Sequence, residues 1–239
     1  MRSVTILGVP IHAVTRAETL AWVTDAVAER EPRQICTPNP EFLMTARRDP
    51  AFLDVLRAAD LNIPDGIGLL WAARRLGQRL PDRVAGSDLV GDIADLAAQS
   101  GWRLFLLGAA PGVAERAAEV LRARHSGLNV VGTESGSPRP DDADRLIALV
   151  KAAKPDVLFV AYGAPAQDKW IAAHRQRLNV PVSMGIGGSL DFIAGVAPRA
   201  PRWLQRLGLE WLYRLARQPW RAKRIFTAVV EFPLAVLRQ

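Results

Sequence analysis

The 239-residue sequence predicts an α/β fold: a Rossmann-like, mainly parallel sheet flanked by helices, with a C-terminal helical appendage. Three observations predict it. Short apolar runs alternate with helix-patterned runs over the first 195 residues. Polar or glycine-rich segments follow five of the apolar runs. Beyond Gly195 the alternation stops, and a basic stretch interrupted by Pro201, Gly208, Pro219 and Pro233 begins. The chain therefore divides into an α/β body, 1–195, and a basic amphipathic helical appendage, 196–239.

Val4–Val9 reads as the first strand. Thr15-Arg16-Ala17-Glu18 has capping-box spacing and opens an amphipathic helix that runs to Glu29. Gln34–Thr37 is a short strand, followed by helices over Pro40–Arg48 and Pro50–Ala58, with Asp49 as the cap of the second. Leu61–Pro64 is strand-like and runs straight into Asp65-Gly66. Arg103–Leu107, Asn129–Gly132, Val157–Ala161 and Pro181–Ile186 read as strands, alternating with helices over Val113–Arg124, Asp141–Ala153 and Ala166–Arg177. The segment after Pro198 reads as three or four short helices outside the sheet. A chain ending near Gly195 is thus expected to keep a folded body.

Charge is unevenly placed. Residues 196–239 hold nine Arg or Lys against Glu210 and Glu231, so the whole net charge of +7 lies there and the first 195 residues are neutral. Three of the seven tryptophans, Trp203, Trp211 and Trp220, lie there too. Such a segment implies an anionic partner. Apolar stripes at Leu204–Trp211–Leu212–Leu215 and Ile225–Phe226–Val229–Val230 suit a helix lying in a membrane interface or a helical cap on the body, and both readings stand. No recognition helix or stacking platform for nucleic acid is discernible. The single cysteine, Cys36, excludes an internal disulfide and fits a reducing compartment. The N-terminus lacks signal-peptide character, and no apolar run approaches the roughly 18 residues of a membrane span. The expected location is cytoplasmic.

Ligands of open parallel sheets bind beyond the C-terminal strand ends. Five segments fall there: Thr37-Pro38-Asn39-Pro40-Glu41, Pro64-Asp65-Gly66-Ile67-Gly68, Gly108-Ala109-Ala110-Pro111-Gly112, the run from Tyr162 to Lys169, and Gly185-Ile186-Gly187-Gly188-Ser189. Together they point to a phosphorylated or nucleotide ligand. The dinucleotide fingerprint and the P-loop are missing, and Asp191 replaces the last glycine of a nucleophile elbow. His12, His125, His174 and Cys36 lack metal-ligand spacing. Asp142-Ala143-Asp144 has the form of a metal-holding DxD but sits at an expected helix N-terminus, where acids suit the macrodipole. No metal site and no cofactor are therefore expected. Asp65, between Pro64 and Gly66, reads either as a general base beside a pocket or as the cap of a helix over Gly66–Arg75.

These residues resemble those of the WecG/TagA/CpsF family of glycosyltransferases over nearly the whole chain. The marks are Thr37-x-Asn39, Ile63-Pro64-Asp65-Gly66-Ile67-Gly68, Arg83-x-x-Gly86, and Gly163-Ala164-Pro165-x-Gln167-x-Lys169-Trp170. Gly185-x-Gly187-Gly188-Ser189-x-Asp191, Arg199-Ala200-Pro201-x-Trp203 and the run from Gly208 to Leu215 complete them. The chain departs from the family at Ala166, Asp168 and Gln218, where Lys, Glu and Glu are frequent.

The resemblance implies transfer of N-acetylmannosamine, or its uronic acid, from a UDP-sugar to undecaprenyl-diphosphate-linked N-acetylglucosamine, with inversion and without an essential metal. In that reading Asp65 is the base, while Thr37, Asn39 and Gln167 bind sugar and nucleotide groups, with Gly187 and Gly188 at the neighbouring strand end. The enzyme would sit peripherally on the inner face of the cell membrane, its tail closing over the site, with room for a homo-oligomer. Separately from the resemblance, a departing diphosphate needs its charge met, and arginine suits it because it is bidentate and always charged. Arg214, Arg221 and Arg224, spaced with Arg217 along one helix face, are candidates, as is Arg83; lipid-headgroup contact is the alternative for each tail arginine. The rival to an enzyme is a non-catalytic, membrane-associated nucleotide-sugar-binding protein.

Overall fold

The computed structural model describes residues 1–198, 200, 201, 204, 210–217 and 222–239. Six parallel strands form the sheet in the order β4-β3-β8-β7-β5-β6: β3 (Arg33–Cys36), β4 (Leu61–Asn62), β5 (Arg103–Gly108), β6 (Asn129–Glu134), β7 (Val157–Ala161) and β8 (Val182–Gly185). This is the Rossmann-like α/β architecture expected. Strand residues alternate between two cores, as their period of two requires. Leu104, Leu106 and Phe159 face one, packed against α1 (Arg16–Glu29), α5 (Gly86–Ser100) and α6 (Val113–Arg124). Phe105, Leu107, Leu158 and Val160 face the other, under α7 (Pro140–Ala153) and α8 (Ala166–Leu178).

The N-terminus corrects the sequence reading. Val4–Val9 is not one strand of the parallel sheet. It is broken into β1 (Ser3–Ile6) and β2 (Val9–His12), an antiparallel hairpin outside the main sheet. Leu7 and Gly8 both have positive φ, 48° and 81°, the backbone of a two-residue turn matched to strand twist. Val4, Ile6, Val9 and Ile11 point inward to a third core, formed with α2 (Pro40–Ala46), α3 (Pro50–Ala58) and α4 (Ile67–Arg75).

Local capping signals hold. Thr15 and Glu18 form the capping box of α1, and the Asn39 and Asp49 side chains accept from Phe42 N and Phe52 N at 3.0 and 3.1 Å. Helix α5 is absent from the sequence reading, although Leu89, Val90, Ile93, Ala94 and Ala97 carry its periodicity and are buried.

After the short α9 (Ser189–Ile193), the described C-terminal residues form α10 (Glu210–Arg217) and a helical run from Ala222 to Leu237. Within that run, Thr227–Glu231 is one π-helical turn. Phe232, Ala235 and Val236 are buried in the third core. Gln239 accepts from Leu7 N at 2.9 Å, and Arg48 pairs with Glu231 at 2.7 Å. A chain ending near Gly195 would lose this part of the core, which revises the expectation of a body complete without its tail. The division at Gly195 is one of sequence character. No described helix is long and apolar enough to cross a membrane.

Candidate active site

All six strands run the same way, so the five segments singled out in the sequence gather at one edge of the sheet. Close approach of backbones explains some of their glycines. A Cβ on Gly108, where φ is +102°, would lie 2.8 Å from the Ala161 carbonyl carbon.

At the β4 end, Asp65 N donates to Pro38 O at 3.0 Å, and Val84 N donates to Pro64 O at 2.9 Å. The loop is thus tied on both sides. The two readings of Asp65 now separate. The cap of α4 is Gly66, with no side-chain hydrogen bond, while Asp65 Oδ2 accepts from Gly86 N, in the first turn of α5, at 3.2 Å. Asp65 also lines a cavity of about 670 Å³. Gly86 also lets α5 reach β3, because a Cβ there would meet Thr37 Cγ2 at 2.9 Å.

The cavity brings Asn39, Asp65, Arg83 and Ser87 together with Arg224 of the C-terminal helical run. Arg224 Nε donates to Glu41 Oε1, which lines the same cavity. Trp211 of α10, Ile225, Val229, Phe232 and Pro233 of the C-terminal helical run, and Ile67 and Trp71 of α4 line the same cavity. Glu41, Ser87, Ile67 and Trp71 were not singled out as site residues. For Ile67 and Trp71 a signal existed, since they stand one turn apart on the same face of α4.

Other expected residues lie elsewhere. Thr37 is buried behind the wall, against Gly86. Gln167 is buried, and its Oε1 accepts from Gly163 N at 3.1 Å and Gly187 N at 2.9 Å. This amide joins the ends of β7 and β8 and does not line the cavity. Gly187 takes a φ of +52°, and Gly188, exposed, precedes α9. Arg221 and the side chain of Arg214 lie outside the described residues. Asp142 accepts from Ser137 N at 2.8 Å and pairs with Arg145 at 2.9 Å, whereas Asp144 pairs with Arg177 at 2.6 Å. Each acid of the DxD is engaged with its own arginine. Among the described residues, no three His, Cys, Asp or Glu side chains gather as a metal site.

Beneath Gln167 lies Asp168, fully buried, with neither carboxyl oxygen conventionally hydrogen-bonded; the Cys36 thiol and the Gln167 amide face it. Burial pushes its pKa up from 3.8 to about 7. The folded chain therefore keeps a proton that the unfolded chain gives up, so this group's contribution to stability falls as pH rises from about 4 to about 7 and then levels. Asp168→Asn, neutral throughout, is expected to flatten that decline. Thermal midpoints of both proteins across this window measure it; parallel curves would mean that Asp168 is ionised in the fold.

The glycosyl transferase WecG/TagA/CpsF family pattern matches residues 4–239. The chain belongs to this family. Its relatives include a Bacillus subtilis (strain 168) protein, 35% identical over 205 residues that make up 86% of this chain and 79% of the relative. A Staphylococcus aureus (strain NCTC 8325 / PS 47) protein is 32% identical over 213 residues, 88% of this chain and 83% of that one. Both carry the name N-acetylglucosaminyldiphosphoundecaprenol N-acetyl-beta-D-mannosaminyltransferase. The chain is a glycosyltransferase, and the rival reading of a non-catalytic binding protein is not favoured. The cavity at the β4 end is the candidate active site of this WecG/TagA/CpsF-family enzyme.

Proposed function

We propose that the chain transfers N-acetylmannosamine, or a related hexosamine or uronic acid, from a UDP-sugar to N-acetylglucosaminyl-diphospho-undecaprenol. The observation that carries this reading is that Asp65, Arg83 and Arg224 line one cavity, in a chain whose relatives bear that name. The acceptor hydroxyl attacks the anomeric carbon as Asp65 takes its proton. The new C–O bond forms as the bond to UDP breaks, and UDP leaves with the electron pair; one displacement inverts the centre. Arginine forks meet the developing diphosphate charge. Arg83 and Arg224 line the cavity for this role, and Arg214 and Arg221 are proposed to join them. Arg224 donates to Glu41, so a diphosphate binding Arg224 would compete with a carboxylate.

Gln167 acts in this scheme as a positioning residue, holding Gly163 and Gly187 at the strand ends, with Thr37 doing the same beneath Gly86 and Asn39 at the start of α2. The C-terminal run exposes Phe226, Val230, Leu234 and Leu237 beside Lys223 and Arg238, a face suited to an anionic bilayer. We accordingly propose that the enzyme works peripherally on the inner membrane face, beside a lipid-linked acceptor.

The test is transfer from a panel of UDP-sugars to a short-chain lipid-diphosphate acceptor, with and without EDTA. UDP-N-acetylmannosamine is expected to be used best, at a rate that EDTA leaves within about twofold, if arginines and backbone N–H groups supply the electrostatic stabilisation. Abolition by EDTA and rescue by Mg²⁺ or Mn²⁺ would overturn the arginine-based account. Transfer from no UDP-sugar would overturn the reading itself.

A further inference from the structure

The cavity is lined by residues of two kinds. Asp65, Arg83 and Arg224 supply charge, and most of the remaining lining is apolar. Ile67 and Trp71 stand one turn apart on α4 and are 51% and 40% exposed. Val229, 45% exposed, lines the same cavity from the C-terminal helical run, with Ile225 and Pro233 one turn to either side. Two apolar stripes on two helices thus border one solvent-open space that begins at the candidate base. Large apolar side chains left in water are unfavourable by roughly 25 cal/mol per Å² of area, so such a wall favours an occupant that covers it.

A UDP-sugar has no long apolar portion. The occupant must place a sugar and a diphosphate near Asp65 and the arginines and extend hydrocarbon away from them. We infer that Ile67, Trp71 and Val229 form the exit path for the polyprenyl chain of the acceptor, receiving its first isoprene units. This rests on the proposed acceptor class and adds the residues that read its lipid. The wall makes the enzyme selective for acceptor chain length, while the polar part reads the head group. α4 suits the task because Gly66, its cap, directly follows Asp65, so head-group and chain contacts are set by one rigid segment.

The test uses full-length Ile67→Gln/Trp71→Gln, with glutamine chosen because it keeps helix propensity while removing apolar surface. kcat/KM is measured with N-acetylglucosaminyl diphosphate carried on a chain of several isoprene units or on a short water-soluble alkyl group. The variant is expected to lose about tenfold or more on the long chain, the scale of losing a buried apolar side chain. The loss on the short acceptor should be at least about fivefold smaller than on the long chain, and the KM for UDP-sugar should rise less than that for the long-chain acceptor. An equal loss on both acceptors, a rise confined to the donor KM, or unchanged rates overturn the path. So does a change in oligomeric state by sedimentation, because the wall would then be a contact between copies.

A second measurement does not depend on transfer. A diazirine-bearing polyprenyl diphosphate, without sugar, should crosslink wild-type protein within 67–71 or 225–233. Labelling there with no sugar transfer by wild type would remove the proposed function and leave the path standing. Transfer by wild type with labelling elsewhere would remove the path and leave the function.

Discussion

Asp65→Asn is expected to turn over at about one-hundredth of the wild-type rate or less, the usual scale for removing a positioned base. The substitution is nearly isosteric, and the amide oxygen still accepts from Gly86 N, so the loop between β4 and α4 keeps its ties. In the proposed mechanism, what is lost is the ability to take the acceptor's proton as the glycosidic bond forms. Because that need arises only in the transition state, kcat should fall while the KM for UDP-sugar changes little. Initial rates over a range of donor concentrations measure both, and an unchanged thermal midpoint establishes that the variant is folded. A folded variant with near-normal turnover would falsify the assignment of the base. A fall confined to donor affinity would instead make Asp65 a binding group.

The second large effect concerns stability. Phe232→Ala is expected to destabilise the protein by about 3–5 kcal/mol, the range for emptying a fully buried aromatic site. Phe232 is 0% exposed, in a core shared with Leu43, Phe52 and Leu69, although it lies in the segment that the sequence sets apart. Domain stabilities run to only about 5–15 kcal/mol, so the variant should unfold at markedly lower urea. Phe226, six residues earlier and 55% exposed, is the matched control, and Phe226→Ala should shift the midpoint little. Equal midpoints for the two variants would mean that the C-terminal run is not part of the folded core. A larger loss of acceptor transfer than of donor binding is also expected for Phe232→Ala, because the ring lines the cavity and its Cε1 lies 3.7 Å from a Cβ placed on Gly68.

Much of the site was legible because its signals are local. A proline before an aspartate and a glycine after it mark a fixed turn at Asp65 whatever the fold. Asn39 and Asp49 announce helix starts because a cap bonds to a backbone N–H three residues on. The apolar runs announce strands, and the polar and glycine-rich segments behind them fall at one edge once the strands are parallel. The chemistry of Asp65 was not legible to the same degree. Its carboxylate accepts from Gly86 N, 21 residues away, at the start of a helix the sequence reading passed over.

The excess of charge after Gly195, the capped starts of α1, α2 and α3 and the apolar runs of the parallel strands were determined by the sequence by itself, the caps and runs because each depends on neighbours within a turn or two. Only the tertiary structure decided what those residues touch. It turned Val4–Val9 into a hairpin, because Leu7 and Gly8 take a left-handed backbone that lets two short strands pair with each other. It set Gln167 between Gly163 and Gly187, making it a strut of the strand ends. It brought Glu41 to Arg224 across 183 residues and buried Phe232 in a core shared with the body. Burial and ion pairing between distant segments follow from how helices pack on a shared core, and no local pattern of polarity encodes which surfaces will meet.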